Sequence, residues 1–214
     1  MKVFYTDRIS ETDFDTILTV LRRGGVIGFP TDTAYGLGAD PFNESAITRI
    51  FEIKKRAETK PILLLVDSIR MAESVSRPSP AFYLLAERFW PGPLTVVLQA
   101  SSSLSEKVTA GTGTIGLRLA AAQFATSLVT RFGRPITATS ANQSTLASAV
   151  TSDEVQSQLG TSLDILVDGG TLPARGGSTL LDLVSDPPVL LREGPISFES
   201  LSEFFGGNIR RQVA

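Results

Sequence analysis

Residues 43–67, NESAITRIFEIKKRAETKPILLLVD, change their periodicity halfway along. Behind Asn43, a residue type that caps helices, Ala46, Ile47, Ile50, Phe51 and Ile53 recur at helical spacing. Pro61 cannot continue a helix. Ile62 to Val66 then form an unbroken, branched apolar run, the pattern of a strand buried on both faces. A helix leading at once into such a strand is the repeating unit of an α/β sheet with parallel pairs. Between helix and strand stand four cations, Lys54, Lys55, Arg56 and Lys60, in a chain whose net charge is −2.

The same alternation extends both ways. Ser10 and Asp13 have capping-box spacing before the helical face Phe14, Ile17, Leu18 and Leu21, which Gly24-Gly25 stop. "VIGF" (26–29) reads as a strand running into "PTDTAYGLGAD", a polar, glycine-containing loop. Later come a helix over roughly 79–89, a strand at 94–99, a strand within 111–119 and a helix over 121–132. A strand opening at 135, strands at 164–168, 178–184 and 188–192, and a short helix at 198–205 complete the pattern. The close spacing of the last strands implies antiparallel pairs. The expected fold is therefore α/β, a single domain over 1–205 with a twisted, mixed sheet and flanking helices, and a flexible tail over 206–214.

Composition narrows the chemistry. The 214 residues include no cysteine and no histidine. Disulfide frameworks and thiolate zinc sites are excluded, in keeping with a reducing, cytoplasmic setting. So are imidazole bases and the usual serine or cysteine triads. The first residues carry scattered charges rather than the apolar core of a signal peptide, and no apolar run approaches a membrane span. A pI near 5.3 argues against a broad nucleic-acid-binding face, while a local basic patch stays compatible with it.

Lys54 is the informative cation. At about 100° per residue it falls near the centre of the stripe made by Ile47, Ile50 and Phe51. Lys55 is explained by the helix dipole alone. A buried ammonium, by contrast, is costly unless something anionic meets it. If the helix ends at this point, Lys54, Arg56 and Lys60 converge as a polyanion site, with one guanidinium fork suited to phosphate oxygens. A cluster of buried cations repels itself, so truncating Lys54 should leave the thermal midpoint unchanged or raised. Three strands adjoin hydroxyl-rich segments, "PTDT", "TSAN" and "STLLD", which offer Thr33, Ser140, Asn142 and Ser178 as neutral donors and acceptors; each also suits an ordinary turn or cap. Arg118 and Arg192 close strands and either add charge or cover apolar surface. There is no G-x-x-x-x-G-K-[ST] loop and no dinucleotide fingerprint.

In order, "GGVIGFPTDTAYGLGAD", K-x-R at 54–56 with "KPILLLV", "FWPGPLTVVL", "TIGLRL", "TATSAN", "GSTLLDL" and "LLREG" resemble the YrdC-like threonylcarbamoyl-adenylate synthases over roughly residues 10–195. The resemblance implies a large basic cavity and a reaction of L-threonine, bicarbonate and ATP giving threonylcarbamoyl-AMP and pyrophosphate. Mg2+ would accompany the ATP, with no metal held by the protein. A partner complex would then transfer the group to the adenosine beside the anticodon of certain tRNAs. By motif position, Lys54 and Arg56 are the expected catalytic cations. Thr33, Arg118, Ser140 and Ser178 would contact threonine; Arg56, Lys60, Thr114, Asn142 and Arg192 would contact the nucleotide. Asp32 and Asp182 are both open as bases for the amine.

The sequence departs from the family after "SAN", where Thr145, Ala149 and Val150 replace a Gly and the Pro-Thr of a Ser-Pro-Thr; a hydroxyl offered to the nucleotide near Val150 is missing. Ala120 stands where a Pro is common. The chain resembles the short form without a second domain. Two rival readings are a carbamoyl-adenylate-forming carbamoyltransferase and a non-catalytic module binding double-stranded RNA or tRNA, which also leaves weak RNA affinity open beside the enzyme reading.

Overall fold

The computed structural model describes residues 1–55, 61–173 and 176–212. Arg56 and Lys60 lie outside the described residues. The chain begins β1 (Lys2–Tyr5), α1 (Glu11–Arg22), β2 (Ile27–Pro30), β3 (Tyr35–Gly38), α2 (Glu44–Lys54), β4 (Leu64–Leu65), α3 (Ile69–Val75) and β5 (Ser76–Arg77). It continues α4 (Pro80–Phe89), β6 (Leu94–Ala100), α5 (Glu106–Thr109), β7 (Thr114–Arg118), α6 (Gln123–Phe132), β8 (Ile136–Thr137) and β9 (Thr139–Ser140). Last come α7 (Ser152–Leu159), β10 (Ile165–Asp168), β11 (Thr179–Asp182), β12 (Val189–Arg192), α8 (Phe198–Phe204) and β13 (Arg210–Arg211).

The fold is mixed α/β, as expected, but the strands form two sheets rather than one. Five strands run β1-β10-β2-β3-β9, and seven run β13-β12-β11-β6-β7-β4-β8, with β5 beside β6. Parallel pairs (β1 with β10, β6 with β11, β4 with β7) alternate with antiparallel ones such as β6 with β7 and β11 with β12. The chain passes between the sheets three times, after β3, after β8 and after β10, and the step after β8 is the shortest. Thr137, in β8, pairs with Leu64 of one sheet; Thr139, in β9, pairs with Leu37 of the other. A single residue, Ala138, separates them. The Thr137 hydroxyl reinforces this joint, donating to the Leu37 carbonyl at 2.9 Å and accepting from the Ala39 amide at 2.9 Å.

Local signals position the elements. Ser10 and Asp13 form the reciprocal capping box at the head of α1, and Asn43 accepts from the Ala46 amide at the head of α2. Phe14, Ile17, Leu18 and Leu21 pack with Leu128, Val129 and Phe132 of α6 in one cluster, while Ile47, Ile50 and Phe51 join the larger one. The loop expected after β2 contains a strand. Residues 35–38 read as loop because two glycines depress strand propensity. They sit in the ladder because the backbone must pass close to Phe29, whose ring a Cβ on Gly38 would meet at 2.9 Å. The segment from 206, expected to be loose, is seated as far as Gln212: Ile209 is buried and β13 runs parallel to β12.

Candidate active site

A cavity of about 880 Å³ lies across one face of the larger sheet and is walled by β3 and β9 of the smaller. Strand alternation selects the floor. Thr95 and Val97 of β6 face it, as do Thr114, Gly116 and Arg118 of β7, with Val97 opposite Gly116 in the register. The cavity thus lies over the sheet face as well as at strand ends, where Arg118, Ser140 and Arg192 stand.

Among the sequence-predicted residues that are described, Thr33, Lys54, Thr114, Arg118, Ser140, Asn142, Ser178 and Arg192 all line this cavity. Among the described lining residues the charged ones are Lys54, Lys55, Arg118 and Arg192, and none is a carboxylate.

Lys54 is 2% exposed, on the buried stripe as its spacing requires. The helix ends with it, because Lys55 adopts a left-handed conformation (φ 48°). What meets the ammonium differs from the expectation. Its Nζ donates to the backbone carbonyl of Ser140 and, at 3.0 Å, to that of Asn142. Lys54 therefore holds the S-A-N turn in place from the helix end while bordering the cavity.

Asn142 is likewise engaged. Its Nδ2 donates to the carbonyls of Gln143 (2.9 Å) and Leu146 (2.6 Å), so both amide hydrogens close the turn. Its Oδ1 lies 3.4 Å from Lys54 Nζ, and the residue borders the cavity. Val150 is buried, and its amide donates to Glu154 Oε2. The hydroxyl nearest in sequence that borders the cavity is on Ser148.

Arg118 is 4% exposed and held from three sides. Nε donates to the Gly92 carbonyl (3.0 Å), Nη1 donates to Thr33 Oγ1 (2.7 Å), and Nη2 lies 2.6 Å from Asp32 Oδ1. Burial pulls this guanidinium below the usual arginine range, and the Asp32 carboxylate opposes the shift. Arg192, at the end of β12, directs Nε (3.0 Å) and Nη2 (2.8 Å) at the carbonyl of Ser178. Desolvation, followed by the charge of Arg118, lowers its pKa too. The Ser178 hydroxyl shares a 2.6 Å hydrogen bond with Thr95 Oγ1.

Neither candidate base borders the cavity. Asp182 accepts from the Val184 amide and the Ser185 hydroxyl in the turn after β11. Asp32 is the ion-pair partner of Arg118. The sequence reading did not single out Thr95, Thr31, Thr139 or Ser148, all of which line the cavity. Only the alternation of L-T-V-V-L-Q could have marked Thr95, as a hydroxyl among apolar strand positions.

Fold and cavity together define a mixed α/β protein with a cationic, hydroxyl-lined chamber between two sheets, suited to anionic ligands. The family model Sua5_yciO_yrdC, described as Telomere recombination, matches residues 19–194, and the chain belongs to that family. A threonylcarbamoyl-AMP synthase of Pyrococcus abyssi is 36% identical over 94% of this chain and 59% of that relative. A putative threonylcarbamoyl-AMP synthase of Mycobacterium tuberculosis H37Rv is 35% identical over 87% of this chain and 86% of the relative. The crystal structure of P. abyssi Sua5 complexed with L-threonine superposes with a TM-score of 0.94 at 34% identity, covering 99% of this chain and 63% of that one. The chain thus spans about three-fifths of the P. abyssi relative.

Proposed function

We propose that the chain makes threonylcarbamoyl-AMP and pyrophosphate from L-threonine, bicarbonate and MgATP. The observation that carries this reading is that Arg118, Thr33 and Ser178 open into the same chamber as Lys54 and Arg192. One chamber can then hold an amino acid beside a polyphosphate, and its volume lies in the range of small-molecule sites. The names of the relatives, and the threonine bound to the P. abyssi protein, favour threonine as the amino acid.

The chemistry suits residues without a strong base. The amine nitrogen bonds to the bicarbonate carbon as water leaves, giving a carbamate. A carbamate oxygen then attacks the α-phosphorus, and the bond to the β-phosphate breaks, releasing pyrophosphate with the electron pair. The nucleophile is already anionic, so the protein's work is to align two anions and offset charge in the transition state. Lys54 and Arg192 do this from the chamber wall, with Arg56 and Lys60 assigned to the phosphates by motif position. Magnesium is assigned to the triphosphate, as the family resemblance implies. The mixed anhydride is an activated acyl group for a partner that modifies the adenosine beside the anticodon in tRNA.

Pyrophosphate release should require threonine and bicarbonate together, with the adduct visible by mass spectrometry. Valine should react much more weakly, because it leaves polar groups built around a substrate hydroxyl unpaired. Release sustained by ATP and carbamoyl phosphate, without an amino acid, would establish the carbamoyltransferase instead.

A further inference from the structure

We infer that Asp32 is the positioning residue for Arg118, fixing the plane of the guanidinium that receives the substrate carboxylate. This rests on the function proposed above. Arg118 borders the cavity, whereas Asp32 is not among the residues that line it; 5% of the Arg118 side chain and 19% of the Asp32 side chain are exposed. The three contacts on Arg118 come from two parts of the chain, Gly92 and the adjacent pair Asp32 and Thr33. Only that with Asp32 is ionic.

The Asp32 contact has an unusual form. Although Nη2 and Oδ1 are 2.6 Å apart, both atoms are buried and neither has an aligned hydrogen-bond partner. Charge attraction therefore fixes where the guanidinium sits, while the Nη2–H bonds are not aligned on Asp32 Oδ1. A buried donor left unsatisfied in this way is costly unless a ligand takes it up. An incoming carboxylate is that ligand: it can accept from Nη2 while Gly92 and Thr33 hold the other two nitrogens. Asp32 also supplies the counter-charge that makes a nearly fully buried guanidinium tolerable before substrate arrives. A base acting on the amine would have to reach the chamber, and Asp32 is not among the residues that line it.

The test is steady-state pyrophosphate release by Asp32→Asn, titrating threonine at saturating MgATP and bicarbonate, and MgATP at saturating threonine. The amide keeps the side chain's size and removes its charge. The threonine KM should rise about tenfold, the loss of one charge-assisted contact, with kcat within about threefold and the MgATP KM unchanged. Asp32→Glu should recover part of the threonine KM by restoring the charge. A fall in kcat of a hundredfold or more at unchanged KM would make Asp32 the base and overturn the inference. So would an unchanged threonine KM, or losses in both substrates that follow only the folded fraction measured by circular dichroism. Should the wild-type protein release no pyrophosphate with threonine and bicarbonate, the proposed function itself fails, an outcome separate from any behaviour of the variant.

Discussion

Lys54 shows how far a single residue can be read without coordinates. Its burial follows from helical spacing. Its partners do not, because the carbonyls of Ser140 and Asn142 are 86 and 88 positions away. That distance reverses the stability expectation. Lys54→Met would take from the Asn142 carbonyl its donor, while the Ser140 carbonyl keeps the Asn142 amide, and should lower unfolding free energy by about 1–3 kcal/mol. Urea titration monitored by circular dichroism measures this, and a midpoint equal to or above wild type would restore the picture of a self-repelling cation cluster. Asn142 was legible as a site residue for its type, but its role as the brace of a turn depended on Leu146, which carries no signal of its own.

Among the elements, β7 is the most informative. T-I-G-L-R alternates, and the alternation sends Thr114, Gly116 and Arg118 to one face. Gly116 keeps the middle of that face low. A Cβ there would meet only Thr95 Cγ2, at 3.3 Å, so a side chain costs the fold little and fills the floor of the chamber. Gly116→Val should therefore remain folded, with a midpoint within a few degrees of wild type, while losing most of its affinity for MgATP by calorimetry. Retained affinity would put the nucleotide elsewhere in the chamber. Long, strongly periodic elements such as α1, α2, α4 and α6 were legible in the sequence. The strand β3 was not, since two glycines hid it, and the strand read from 135 is two strands of two residues each, β8 and β9. The place of β3 and the break between β8 and β9 are set by packing rather than propensity.

At the scale of the whole molecule, the sequence disclosed a mixed sheet but not its division into two. Nothing in "PITATSAN" marks the residue at which the chain changes sheets, because pairing is decided by partners far away in sequence. The consequence for the site is that its walls belong to both sheets, so ligands spanning it bind only the assembled form. MgATP and threonine at a hundred times their Kd should each stabilise the fold by about 2.7 kcal/mol. Thermal melts with each ligand alone and with both would measure this, and no shift with either would argue against a preformed chamber.

The Thr137 hydroxyl gives that joint a reporter. Ala39 is fully buried and its amide hydrogen is held by a side chain from the other sheet, while the Thr137 amide donates back to the Ala39 carbonyl at 3.0 Å. Deuterium can reach these two amides only when the sheets part, so their exchange rates read out separation of the halves rather than fraying of any strand. In Thr137→Val the Ala39 amide should exchange faster than in wild type, with amides in the middle of β6 nearly unaffected. The pair would thus serve as an internal clock for how often the chamber comes apart.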